Sequence, residues 1–297
     1  MSAIDDIPCT VTPDYIQRAA ATWGTNYATY DVYPYPPENP DGKVDIRDIQ
    51  LLILYFSAPC YPDGLDRLNH HRTLAQVPTV TEDRFLDLGA ALHAHYMAVN
   101  RVLTHSEDPN KPAYSELGDR CGRSSNLFGG ASNMPGAVDV FMGAALHRFG
   151  QLHPKLRRVG MGLEGSWAAV DIIQGVESVD WTAWPVVYPG PGQTDVPLAG
   201  SNEHDTASTC IDSVTGQSVS PPANPGYPIT LQFDWFSSPS PVADNVSFAR
   251  DRAPVPYVLC APPDDAYFSM MILFPKEPLQ PNQTYSVSVS GTYPAGT

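Results

Sequence analysis

Positive charge is scarce in this chain. Lys and Arg number 17 against 32 Asp and Glu, a net charge of −15 over 297 residues. Such a surface repels phosphate backbones and anionic lipid, so nucleic acid is excluded as a partner. Charge of either sign is also low, at 16%, against roughly a quarter in ordinary domains. Long apolar runs are missing too: the longest, Leu51 to Phe56, is too short to cross a bilayer, so no transmembrane segment is expected. Met1-Ser2-Ala3 runs straight into acidic residues with no leader pattern, which for a secreted protein implies a mature or trimmed form. No C-x-x-C pair, H-E-x-x-H helix, Walker loop, nucleophile elbow or Ser-x-x-Lys is present. Zinc, thioredoxin-type and phosphate-loop chemistry therefore lack support, and any enzymatic reading must rest on another constellation.

What is present points to turns and short strands. The chain holds 31 Pro and 22 Gly, with 15 Tyr against 10 Phe, and 42% hydrophobic residues suffice for real cores. Domains of roughly 100–200 residues make two or three domains the expectation. Five cysteines fall at 9, 60, 121, 210 and 260. Their positions suggest Cys9–Cys60 and Cys210–Cys260, with Cys121 left over, although spacing alone does not fix connectivity. Disulfides would imply an oxidising compartment. Sequons occur at Asn245-Val-Ser247 and Asn282-Gln-Thr284. Texture divides the chain into residues 1–62, with two short helical patterns, residues 63–182, with longer helices and seven of the eight histidines, and residues 183–297, rich in Pro, Gly and Ser.

The first region repeats itself. Asp14-Tyr15-Ile16-Gln17-Arg18 leads into one helical pattern, and Asp48-Ile49-Gln50-Leu51-Leu52 leads into another. Before the second lies Asn39-Pro40-Asp41-Gly42-Lys43-Val44-Asp45-Ile46-Arg47-Asp48. Oxygen-bearing side chains alternate here around a glycine, as a Ca2+ loop requires. The segment resembles the calcium loop of dockerin and EF-hand modules. That resemblance gives Asn39, Asp41, Asp45 and Asp48 loop positions three, five, nine and twelve, and Lys43 a ligating carbonyl. Pro37 stands at position one and cannot ligate; Asp31 could serve if 32–38 bulges out. The plainer alternative is an Asp-Gly turn with helix-capping carboxylates.

In the middle region, Leu65 to Ala75 reads as a helix. A second, with Thr81 as its N-cap, carries the stripe Phe85, Leu88, Leu92, Tyr96 and Val99 and ends near Asn100. A third runs from Val138 to Phe149, and Ser166 to Ile173 alternates as a strand. Asn69-His70-His71-Arg72, Thr104-His105, Phe141-Met142-Gly143-Ala144-Ala145-Leu146-His147-Arg148 and Val159-Gly160-Met161-Gly162 follow in that order. The order resembles the CAP superfamily, the SCP-like extracellular domains of bacterial type. In that family a central cleft carries two His and two acidic residues that can hold a divalent metal. The resemblance assigns His105 and His147 to the histidine positions and Asp139 to one acidic position. Ser125 stands where the family has the acid of its Glu-Asn motif. A neutral hydroxyl cannot offset a dication, which argues against metal in this cleft and weakens general-base chemistry. His93 and His95, two apart, face different sides of a helix. His70, His71 and His153 are expected at the surface or as caps.

The last region alternates at Tyr227 to Phe233, Val255 to Leu259, Met270 to Phe274 and Tyr285 to Val289. Leu279-Gln280-Pro281-Asn282-Gln283-Thr284-Tyr285-Ser286-Val287-Ser288-Val289 resembles the last hairpin of bacterial Ig-like domains. Together the resemblances imply a multidomain α+β protein: a dockerin-like helical pair, a CAP α/β/α sandwich and an Ig-like β-sandwich. They imply secretion and non-enzymatic binding or attachment to a surface ligand. Self-association of a structural subunit into a filament or layer is one alternative. A CAP-type hydrolase using His105, His147 and Asp139 is the other.

Overall fold

The computed structural model describes residues 7–32, 41–55, 58–204, 208–235, 241–261 and 269–292. Helices and three sheets are mixed in an α+β fold. Two compact units are formed: one of the described residues up to Leu68 with Val80–Val138 and Leu156–Glu177, the other of Asn69–Thr79, Asp139–Lys155 and the described residues from Ser178 onward.

In the first unit, α1 (Pro13–Ala21) starts where Thr12 accepts a hydrogen bond from the Tyr15 N–H and Pro13 supplies a preset φ. Helix α2 (Ile46–Leu54) starts at Asp45, in a capping box with Asp48. Their apolar faces put Ala19, Ile49, Leu51 and Leu52 into a core with Val32, Tyr55 and Ala58, and the same core takes in Phe85, Leu86, Leu88 and Leu117. The Cys9–Cys60 disulfide closes this region. Helix α3 (Pro62–Leu74) follows.

A four-stranded sheet joins β1 (Thr81–Glu82), β2 (Ser125–Gly129), β3 (Arg158–Glu164) and β4 (Trp167–Asp171) in the order β1-β3-β4-β2. Only the β1–β3 pairing is parallel. Helix α4 (Arg84–Asn100) lies on β3. The approach is close because Gly160 and Gly162 lack side chains: a Cβ at either would collide with the backbone of Leu86 or Ala90. This is the physical content of the Val-Gly-x-Gly pattern. The α4 cap is Asp83, which accepts from Phe85 and Leu86 N–H and pairs with Arg158, rather than Thr81. Thr81 is instead in the strand pairing with Arg158. Helix α5 (Glu116–Gly122) packs on α4, with Cys121 in a core with Ala90, Met97, Leu127 and Ala169.

The expected helix over 138–149 is two helices, α6 (Met134–Gly143) and α7 (Ala145–Gln151), separated by Ala144 in an extended conformation. In the second unit, strands β5 (Val186–Tyr188), β6 (Thr209–Asp212), β7 (Ile229–Gln232), β10 (Tyr257–Ala261) and β11 (Met270–Pro275) form a sheet in the order β5-β7-β11-β10-β6. Strands β8 (Val242–Arg250), β9 (Ala253–Pro254) and β12 (Tyr285–Thr292) form a second sheet, ordered β12-β8-β9. Every residue of β11 is buried, and its alternation serves two cores. Met270, Ile272 and Phe274 meet Ala145 and Phe149 of α7 together with Cys210, Val258 and Cys260, whereas Leu273 meets Ile229 and Phe248 of β8. Cys210 and Cys260 are direct register partners on β6 and β10 and form the second disulfide.

Candidate functional site

The loop entering α2 gathers four carboxylates. Gly42 turns at φ +84°, a left-handed conformation that disfavours side chains. Lys43 N–H donates to Asp41 Oδ1 at 3.1 Å. Val44, fully buried, then exchanges 2.8 Å backbone hydrogen bonds with Gly24 and Thr25. Asp48 is 1% exposed; its two oxygens accept from Val32 and Asp45 N–H, each at 2.7 Å. Asp45 accepts from the N–H of Arg47, and hydrogen bonds from the Arg47 guanidinium hold its carboxyl at about 2. Asp31 is different. It is 5% exposed, and among the described residues its Oδ1 has no hydrogen-bond partner. Burial above all pushes its carboxyl up; the N–H groups of Gly42 and Lys43 oppose this, and the charges of Asp48 and Asp41 add to it. Asn39 and most of the 32–38 bulge lie outside the described residues.

This donor set fits Ca2+. It is all oxygen, it is wrapped around a glycine turn, and it contains a buried carboxylate oxygen that no donor among the described residues meets. Another group of metal-capable side chains, Cys9, Cys60 and Glu82, lies within 4.8 Å. Its two sulfurs are joined as a disulfide and do not ligate.

His105 and His147, expected to share a cleft, have separate local partners. His105 is exposed in the first unit and its Nδ1 lies 2.9 Å from the Gly122 carbonyl. A carbonyl only accepts, so Nδ1 carries the ring proton. His147 is in the second unit, on α7, with its ring stacked 5.4 Å from Phe141. Its Nδ1 lies 2.9 Å from Glu203 Oε2, which also accepts from Leu146 and His147 N–H at 3.2 and 3.4 Å. Asp139, half exposed, accepts from His71 Nε2 at 2.8 Å, while His71 Nδ1 meets the Tyr188 hydroxyl at 2.7 Å. Ser125 is buried, and its hydroxyl donates to the Cys121 carbonyl at 2.8 Å.

Several of these groups escape sequence reading. His71 is 6% exposed and His153 fully buried, against the expectation of surface or capping positions. His153 packs among Phe149, Trp184 and Trp235, and burial lowers its affinity for a proton despite the nearby Asp234. On α4, His93 is buried against Glu107 at 2.9 Å and the Thr104 carbonyl at 2.8 Å, whereas His95 is exposed. Gly122 and Gly118 make room: a Cβ at Gly122 would strike the His93 ring, and one at Gly118 would strike Glu107. Glycines four apart on α5 were the available signal. Glu203 offered none, being a lone acid 56 residues from His147.

No protein-family model matches the chain, and no curated protein matches it. Among solved structures the chain is similar to an extracellular protein containing an SCP domain from Bacillus anthracis, with 21% identity and a TM-score of 0.33. The likeness covers 38% of this chain and 39% of that one.

Proposed function

We propose that the chain is an extracellular CAP-type protein that binds or attaches at a surface without catalysis, and that Ca2+ stabilises its N-terminal helical pair. The observation that carries the reading is the buried Asp31 oxygen, which has no partner among the described residues, beside Asp41 and Asp48. Asp31, Asp41, Asp45 and Asp48 would supply carboxylate oxygens, Asn39 a side-chain oxygen and Lys43 its carbonyl. The bound dication would neutralise the buried charge. In this reading residues 63–182 are the CAP domain and residues 183–297 an Ig-like sandwich.

Commitment of the Ser125 hydroxyl to Cys121, at the position where the family has an acid, supports binding over catalysis. So does the engagement of Asp139 by His71. Two disulfides support an oxidising compartment, and among the described residues no helix is long and apolar enough to cross a membrane.

Thermal melting in Ca2+ and in chelator tests the calcium half. Saturating Ca2+ should raise Tm by about 5 °C or more, and Asp31→Asn should remove the gain. Equal melting of the wild-type protein in both buffers sinks it. For the non-catalytic half, hydrolysis of esters or peptides that vanishes in both His105→Ala and His147→Ala would overturn the reading.

A further inference from the structure

We propose that Arg47 is a built-in counter-ion of the acidic loop, competing with Ca2+ for the carboxylates of Asp41 and Asp45; this rests on the calcium reading. The Arg47 Nη2 lies 2.5 Å from Asp41 Oδ2 and 2.6 Å from Asp45 Oδ2, and its Nε lies 3.1 and 3.2 Å from the two Asp45 oxygens. One planar fork therefore grips Asp45 with both nitrogens and bridges to Asp41, geometry that a point charge such as an ammonium does not reproduce. The Arg47 side chain is 45% exposed, which leaves it room to turn toward solvent.

The four carboxylates thus fall into different classes. Backbone N–H groups hold Asp48, the guanidinium holds Asp41 and Asp45, and Asp31 keeps a buried oxygen with no donor among the described residues. The guanidinium is engaged at the loop rim by Asp41 and Asp45, while among the described residues no donor meets Asp31 Oδ1. A dication that engages Asp31 draws on the oxygens that Arg47 holds, and Arg47 must release them. Ca2+ affinity depends on the net charge of the ligand set. A resident cation therefore weakens binding and makes the loop a threshold sensor of Ca2+ rather than a permanently filled site.

The experiment is isothermal titration of Ca2+ into the whole chain, as wild type, Arg47→Ala and Arg18→Ala. Arg18 makes an exposed ion pair with Asp14 on α1 and controls for the loss of one positive charge in the same region. Arg47→Ala should bind Ca2+ about tenfold more tightly, and Arg18→Ala by no more than about twofold, because its charge is solvent-screened. In chelator, Arg47→Ala should melt below wild type.

Binding by wild type that is unchanged or weaker in Arg47→Ala, or equally tightened in Arg18→Ala, overturns the proposal and leaves the calcium reading standing. No binding by wild type with binding by Arg47→Ala supports the competition but overturns the calcium reading for the native chain. No binding by either variant overturns both.

Discussion

Asp171 shows how a single carboxyl couples this structure to pH. It is fully buried at the end of β4, and it accepts from the N–H groups of Ile173 and Gln174 and from the Gln174 side chain. Burial outweighs those donors and raises its pKa from 3.8 to about 6. The folded state therefore holds this proton more tightly than the unfolded chain. Its stabilisation is complete below pH 4 and is lost as pH rises through about 6. The shift corresponds to about 3 kcal/mol. Asp171→Asn should flatten that part of the stability profile, measured by urea unfolding at pH 4 and pH 7. A loss of stability between the two pH values as large as in wild type would show that another carboxyl carries it. Asp87, also pushed up by burial, is the group then implicated. The remaining cysteine, Cys121, belongs to this neighbourhood. Burial raises its thiol well above the ordinary value, which makes it inert rather than reactive.

Helix α7 illustrates what an element takes from distant chain. It begins at Ala144, which has no side chain to cap it, and the carboxylate of Glu203 accepts two of its first N–H groups. At the other end the fully buried Arg72 donates to the carbonyls of Gln151 and His153 at 2.5 and 3.2 Å. Negative charge at the start and positive charge at the end both complement the helix dipole. Glu203→Ala should cost about 1–2 kcal/mol, and Glu203→Gln, which keeps an acceptor, should recover part of it. Chemical denaturation of both variants checks this, and equal losses would rule out the capping role.

This dependence explains which parts of the fold could be read from sequence. The stripe along α4, the alternation of β11 and the turn at Gly42 are local patterns, and each leaves its mark in neighbouring residues. The break between α6 and α7 is not local, because its cap arrives from 57 residues away. The burial of His71 and His153 depends likewise on Tyr188, Asp139 and Asp234, which no spacing rule connects. In the acidic loop the alternating carboxylates were visible as a pattern, but the burial of Asp31 and the grip of Arg47 exist only in three dimensions.

At the scale of the whole chain, two disulfides of nearly equal span work under different exposure. Cys9–Cys60 joins residues 51 apart and Cys210–Cys260 residues 50 apart. On loop entropy alone each is worth about 4 kcal/mol. Cys9 is exposed and Cys60 half-buried, whereas Cys210 and Cys260 are 3% and 1% exposed between β6 and β10. A mild reductant should therefore open Cys9–Cys60 first, read by alkylation and peptide mass analysis. Simultaneous opening of both would mean that the five-stranded sheet breathes globally. Loss of the first disulfide should lower Tm more in chelator than in Ca2+, since the disulfide and the proposed cation would hold the same N-terminal segment. The most direct test of that segment is a crystal structure grown in Ca2+ and read by anomalous scattering. The expected result is one cation at roughly 2.3–2.6 Å from Asp31 and Asp41 oxygens, with Arg47 swung away. An Asp31 oxygen still without a cation at saturating Ca2+ would contradict it.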